Sequence, residues 1–122
     1  MIIKEIVDYD EFSNEHTVMV TDGEYSLLCY YYGGQKLSVN MQLDSQLSAL
    51  LARNICIADE HVSYTKKLSD GYFAHELCGM LVMRNGKYGG IVKIGEISIE
   101  ISDYIPKDIN IGEYISFTVD RL

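Results

Sequence analysis

The chain has no tryptophan, one proline and no long apolar run, and it is short of positive charge: ten lysines and arginines stand against eighteen aspartates and glutamates in 122 residues. Each shortage excludes a class of protein. Apolar stretches such as Met80 to Met83 fall far short of the ~20 residues that a helix needs to cross a bilayer, so no membrane contact is expected. The opening MIIKEIVDYD lacks a basic region followed by an apolar stretch and a small-residue cleavage site, so no secretory signal is read there. Cys29, Cys56 and Cys78 are odd in number and widely spaced, which is no disulfide framework. Reduced thiols and a cytoplasmic location are expected. The scarcity of proline and the lack of a long polar tract argue against disorder. A net charge of −8 at pH 7 repels phosphates, which makes nucleic acid a poor default partner.

What is present points to one ordinary folded unit. The length suits a single domain over residues 1–122, and hydrophobic residues make up 48% of it. Charge is lopsided: residues 1–60 hold ten acids against three bases, residues 61–122 eight against seven. Asp8, Asp10, Glu11, Glu15 and Glu24 fall in the first quarter. Such a concentration is either a solvated face or a surface that steers a basic partner.

Turn signals divide the chain into strands. Asp22-Gly23, Asp70-Gly71 and Asn85-Gly86 are pairs that favour hairpin turns, and β-forming residues flank them. Ile97, Ile99 and Ile101 alternate with Ser98, Glu100 and Ser102; Ile115, Phe117 and Val119 alternate with Ser116, Thr118 and Asp120. Period two buries one face of a strand and wets the other. Strands are expected at 2–8, 15–21, 25–32, 55–58, 72–83, 91–94, 96–102 and 113–120.

One segment has a different spacing. Leu43, Leu47, Leu50 and Leu51 follow intervals of four, three and one, which predicts a short helix over about residues 44–53. Asp44 or Ser45 could cap its start, and Asn54 could take the left-handed stop. The expected fold is therefore mainly β: an antiparallel barrel or strongly curved sheet with that one helix, and with Leu47, Leu51, Ile97, Ile99, Ile115, Phe117 and Val119 buried. The segment NIGEYISFTVDRL, residues 110–122, resembles the closing strand of OB-fold barrels of the cold-shock type, with a glycine, an aliphatic residue and an aromatic two positions on. Gly112, Ile115 and Phe117 match. The resemblance covers about a tenth of the chain and implies a barrel. The strand count exceeds the usual five, and the aromatic and basic surface of those nucleic-acid binders is missing.

The stretch LCYYYGG, Leu28–Gly34, offers a binding surface. On a strand, Tyr25, Leu27, Cys29 and Tyr31 share one face, while Tyr30 and Tyr32 share the other. Two tyrosines at that spacing could stack successive bases, but the nearest base is Lys36 and Glu24 lies on the other side. A rigid aromatic patch also suits a protein interface, and the expected helix could cover it. Cys56, His61, His75 and Cys78 have the side chains of a zinc site, yet His75 and Cys78 are three apart on an expected strand and so face opposite ways. A Cys29–His16 nucleophile pair depends on hairpin register. Gly33-Gly34 and Gly89-Gly90 are too short for a phosphate cradle, and no catalytic motif is present. No metal, cofactor or catalytic residue is assigned. The leading expectation is a non-enzymatic protein-interaction module with a basic protein partner, in a specific form an inhibitor or immunity protein. It would bind through Asp8, Asp10, Glu11, Glu15, Glu24, Tyr30 and Tyr32. The alternatives are a single-strand nucleic-acid binder, and a small enzyme or carrier with a pocket inside the barrel.

Overall fold

A computed structural model describes residues 1–33 and 35–122; Gly34, the second glycine of the pair, lies outside them. Ten strands follow in order: β1 (Ile2–Asp10), β2 (Glu15–Thr21), β3 (Ser26–Tyr32), β4 (Gln46–Ser48), β5 (Arg53–Ile57), β6 (Tyr64–Lys67), β7 (His75–Arg84), β8 (Tyr88–Ile94), β9 (Ile97–Tyr104) and β10 (Tyr114–Val119). All eight strands expected from the sequence are present, and β4 and β6 are additional. β1, β2 and β3 form an antiparallel meander. The other seven form a second sheet in the order β4-β9-β8-β7-β10-β5, with β6 beside β7. That sheet is mixed, because β4 runs parallel to β9.

The expected helix at 44–53 is absent; no helix occurs among the described residues. Its leucines do four different jobs. Leu43 packs partly on the core, where its N–H donates to the Met1 carbonyl at 2.9 Å. Leu47 is the buried middle residue of β4. Leu50 is exposed, and Leu51 is exposed with a left-handed φ of 54°. Leu51 was expected in the core and is not there. Asn54 does take a left-handed φ, 57°, but inside a strand and not at a helix stop.

The strands do not close into one barrel, and the ladder at β10 gives the reason. From Ile115 to Thr118 its outer rail is occupied by β5. Only Arg121, just beyond β10, is left to meet the segment after β4, where the Leu50 N–H donates to the Arg121 carbonyl at 2.8 Å and the Asp120 N–H to the Leu50 carbonyl at 2.9 Å. The sheet thus curls until the chain just past β4 meets the chain just past β10 at a single bridge.

The two sheets share one core. Ile3, Val18, Val20, Leu27 and Cys29 from the small sheet join the apolar faces of β7 to β10, including all of Ile97, Ile99, Ile115, Phe117 and Val119. Among the described residues no ladder joins the two sheets. The Leu28 N–H donates to Nε2 of His75 at 3.2 Å, and the Tyr30 N–H to the Leu122 carbonyl at 3.1 Å. Thr65 Oγ1 donates to the Ser26 carbonyl at 3.0 Å, and the Glu96 N–H to Asp22 Oδ2 at 2.8 Å. The other edge is tied by Ile3 and Asn40, whose N–H groups donate to Met41 and Ile3. The Arg84 guanidinium pins the chain between β9 and β10, donating to the carbonyls of Ile105, Pro106 and Ile109 at 2.6–2.8 Å and to that of Gly86 at 2.9 Å.

Candidate protein interface

Register decides which of the acids and tyrosines meet. Across the meander Asp8 lies opposite Thr17 and Thr17 opposite Tyr30; Asp10 lies opposite Glu15 and Glu15 opposite Tyr32. Directly paired residues share a sheet face, and residues two apart on a strand do too. Asp8, Asp10, Glu15, Tyr30 and Tyr32 therefore stand on one face. The alternate row, Tyr9, His16 and Tyr31, turns inward: His16 is buried, Tyr31 packs against the core, and Tyr9 stacks on His16 with ring centroids 4.4 Å apart. Burial pushes the Tyr31 phenol well above its ordinary pKa.

Glu11 sits in the turn between β1 and β2, next to the face. That turn is built by Asp10, whose Oδ1 accepts the Phe12 N–H at 2.9 Å, and it presents Phe12 almost wholly to solvent, at 96% exposure. Asn14, left-handed at φ 56°, donates its side-chain amide to the Gly33 carbonyl and so ties the turn to the end of β3. Glu24 is not part of this group. It lies in the β2–β3 turn at the other end of a seven-residue strand, about 20 Å away at about 3.3 Å per residue.

The tyrosine side of the face extends beyond the triplet. Phe73 meets the Tyr30 ring edge-on at 6.1 Å, and Tyr72 meets Phe73 at 4.8 Å. The Arg121 guanidinium lies 4.6 Å from the Tyr30 ring centroid, a cation–π distance. Partial burial and the neighbouring Glu15 carboxylate push the Tyr30 phenol above its ordinary value. Tyr32 is 73% exposed and Tyr72 61% exposed, so two free rings flank a partly seated one. Among the described residues no helix covers them. A cleft of about 380 Å³ opens beside Tyr30, between Leu47, Leu50 and Arg121. Sequence reasoning placed Tyr72 and Phe73 at the start of a strand; the Asp70-Gly71 turn instead leads into a loop that ends where β7 begins at His75. The available signal was two adjacent aromatics after a turn pair.

The residues of the supposed zinc site are dispersed. Cys56, Ser116 and Cys78 form a row across β5, β10 and β7, with Cys56 Sγ 3.3 Å from Ser116 Oγ. His61 is exposed and stacks on Tyr114. His75 points to the opposite face of β7, and both its ring nitrogens are hydrogen-bonded. Among the described residues no three His, Cys, Asp or Glu side chains gather as metal ligands. Cys29 lies opposite Val18 and not His16, and burial lifts its thiol to a pKa of about 12, far from a nucleophile's range. Among the described residues no helix is long and apolar enough to cross a membrane.

Compared with known proteins, the chain matches no family model, and no curated protein or solved structure matches it significantly. The site must be read from its own chemistry. Three carboxylates on β1 and β2 stand beside four aromatic rings on β3 and the loop before β7. Such a face can attract cations at a distance and bury flat apolar area on contact.

Proposed function

We propose that the chain is a non-enzymatic protein-interaction module that receives a basic protein on the outer face of β1–β3. The observation that supports this is the register that sets Asp8, Asp10 and Glu15 beside Tyr30 and Tyr32 on one face. The acids steer a basic partner into encounter, and the rings hold it after docking. In its narrower form the module is an inhibitor or immunity protein whose target is a basic toxin or nuclease. Acid steering suits a small protein that must capture such a target quickly. A cytoplasmic setting is consistent with its free thiols.

The test is association kinetics with the basic protein recovered from the native cell. Replacing Asp8 and Asp10 by Asn and Glu11 and Glu15 by Gln should slow association and flatten its salt dependence, since salt screens over about 10 Å at 0.1 M. Tyr30→Ala should instead speed dissociation. Unchanged association rates at every salt concentration would reduce the acids to a solvated face. Tight binding of an oligothymidine, lost on Tyr30→Ala, would favour the single-strand nucleic-acid reading.

A further inference from the structure

The buried polar residues of the described chain are His16 and His75. They are used alike. Nε2 of His75 accepts the Leu28 N–H at 3.2 Å, and Nε2 of His16 accepts the Leu37 N–H at 3.1 Å. A backbone N–H can only donate, so both Nε2 atoms must be bare. The other nitrogen of His75 lies 2.9 Å from the Phe73 carbonyl, which can only accept, so the ring proton sits on Nδ1. Adding a proton at Nε2 turns an acceptor into a donor aimed at a donor, in a buried site. Two opposed, buried donors are far worse than a lost bond.

Both rings sit under the aromatic face. His75 fixes the carbonyl of Phe73, whose ring meets Tyr30, and it fixes Leu28 two residues before Tyr30. His16 stacks on Tyr9 and lies opposite Tyr31. Few charges face either ring. His75 lies opposite Lys67 on β6 and Val119 on β10, while the Glu76 carboxylate is on the far side of β7, where it accepts from Tyr64. Around His16 the nearby groups are Tyr9 from β1, Tyr31 from β3, and Lys36, whose ammonium lies 5.2 Å over the Tyr9 ring. Among the described residues no carboxylate is hydrogen-bonded to either imidazole to hold the protonated form in place.

We propose that His75 is an acid-released clasp that holds β3 against the large sheet, and that mildly acid pH opens it and loosens the Tyr30 face. The proposal rests on the interface reading above, because it regulates that face. Burial lowers the pKa of His75 below 6.5, and Lys67 lowers it further, against the opposing effect of the Phe73 carbonyl. The sign follows: the opened form takes up the proton first. The clasp is at full strength above about pH 6.5 and is lost as pH falls through the lower value of the closed form.

Nuclear magnetic resonance of the intact chain, without a partner, tests it. At about pH 7.5 the ring nitrogens of His75 should report a proton on Nδ1 and a bare Nε2. Between about pH 7 and 5 the Leu28 amide should lose about tenfold in hydrogen-exchange protection, while amides in β8 and β9 keep theirs. His75→Gln should remove the step, since a glutamine oxygen accepts at any pH. Constant Leu28 protection across that range, or a proton on Nε2 of His75 at neutral pH, would overturn the clasp. Because no partner is present, that result leaves the interface reading standing, whereas a failed interface test would take away the face that the clasp regulates and leave its pH-dependent opening measurable.

Discussion

The small sheet and the large sheet contribute to one core, but they are held by different means. In the large sheet, ladders join every neighbour and isoleucines fill the inner face from Ile97 to Ile101. The small sheet is laddered internally, and its outer bonds are single tethers: a histidine nitrogen, a carbonyl, a threonine hydroxyl and an aspartate. Ladder bonds reinforce one another along a strand, whereas a tether can be lost alone. The charged and aromatic face lies on the tethered sheet. Function that needs adjustment belongs where local opening is cheapest.

The largest test of this contrast is Phe117→Ala. Phe117 is among the bulkiest fully buried side chains, and truncation should lower stability by about 3–5 kcal/mol. Denaturant unfolding should remain a single transition, because both sheets share that core. Two separated transitions would show them to be independent units. Next in size is Arg84→Met, which strips the donors from the carbonyls of Ile105, Pro106 and Ile109. A loss of about 3 kcal/mol is expected, with hydrogen-exchange protection falling first around Ile105 to Ile109 and the meander unaffected.

Asp22→Asn probes a tether directly. Burial raises the Asp22 pKa, but the N–H groups of Tyr25, Glu96 and Glu24 together lower it by more, so it stands below 3.8. Its stabilisation is present above about pH 3.8 and is lost as pH falls through the lower folded value. The asparagine variant should lose about 1 kcal/mol at neutral pH and show a shallower acid limb in a plot of melting temperature against pH. The smallest effect belongs to Tyr32→Ala, which should change stability by no more than about 0.5 kcal/mol. A larger loss by thermal melting would mean that this exposed ring supports the fold.

The large sheet was the more legible of the two. Ile97 to Ile101 and Ile115 to Val119 alternate because one face meets the core and the other water, and period two survives in sequence. The leucines from 43 to 51 mislead for the opposite reason. Each meets a different neighbour, so their helical spacing reflects no common face. In the candidate site, Tyr30 and Tyr32 were placed on the outer face from alternation alone. Their alignment with Glu15 follows the unbroken register of β2 on β3, and with Asp8 and Asp10 the register of β1 on β2 beside a turn that no Asp-Gly or Asn-Gly pair marks. The use of His75 by Leu28 spans 47 positions and leaves no local trace at all.

That bond also governs how the two sheets find their alignment. A ladder between strands can slip by two residues and re-form nearly all its bonds, so register must be selected from near-equals. An imidazole fixed at one site offers a single acceptor, and the Leu28 N–H takes it. The meander of β1, β2 and β3 can assemble early from neighbours close in sequence, then dock in one keyed position. Sliding is forbidden at the joint, and the search for register ends where the ring stands.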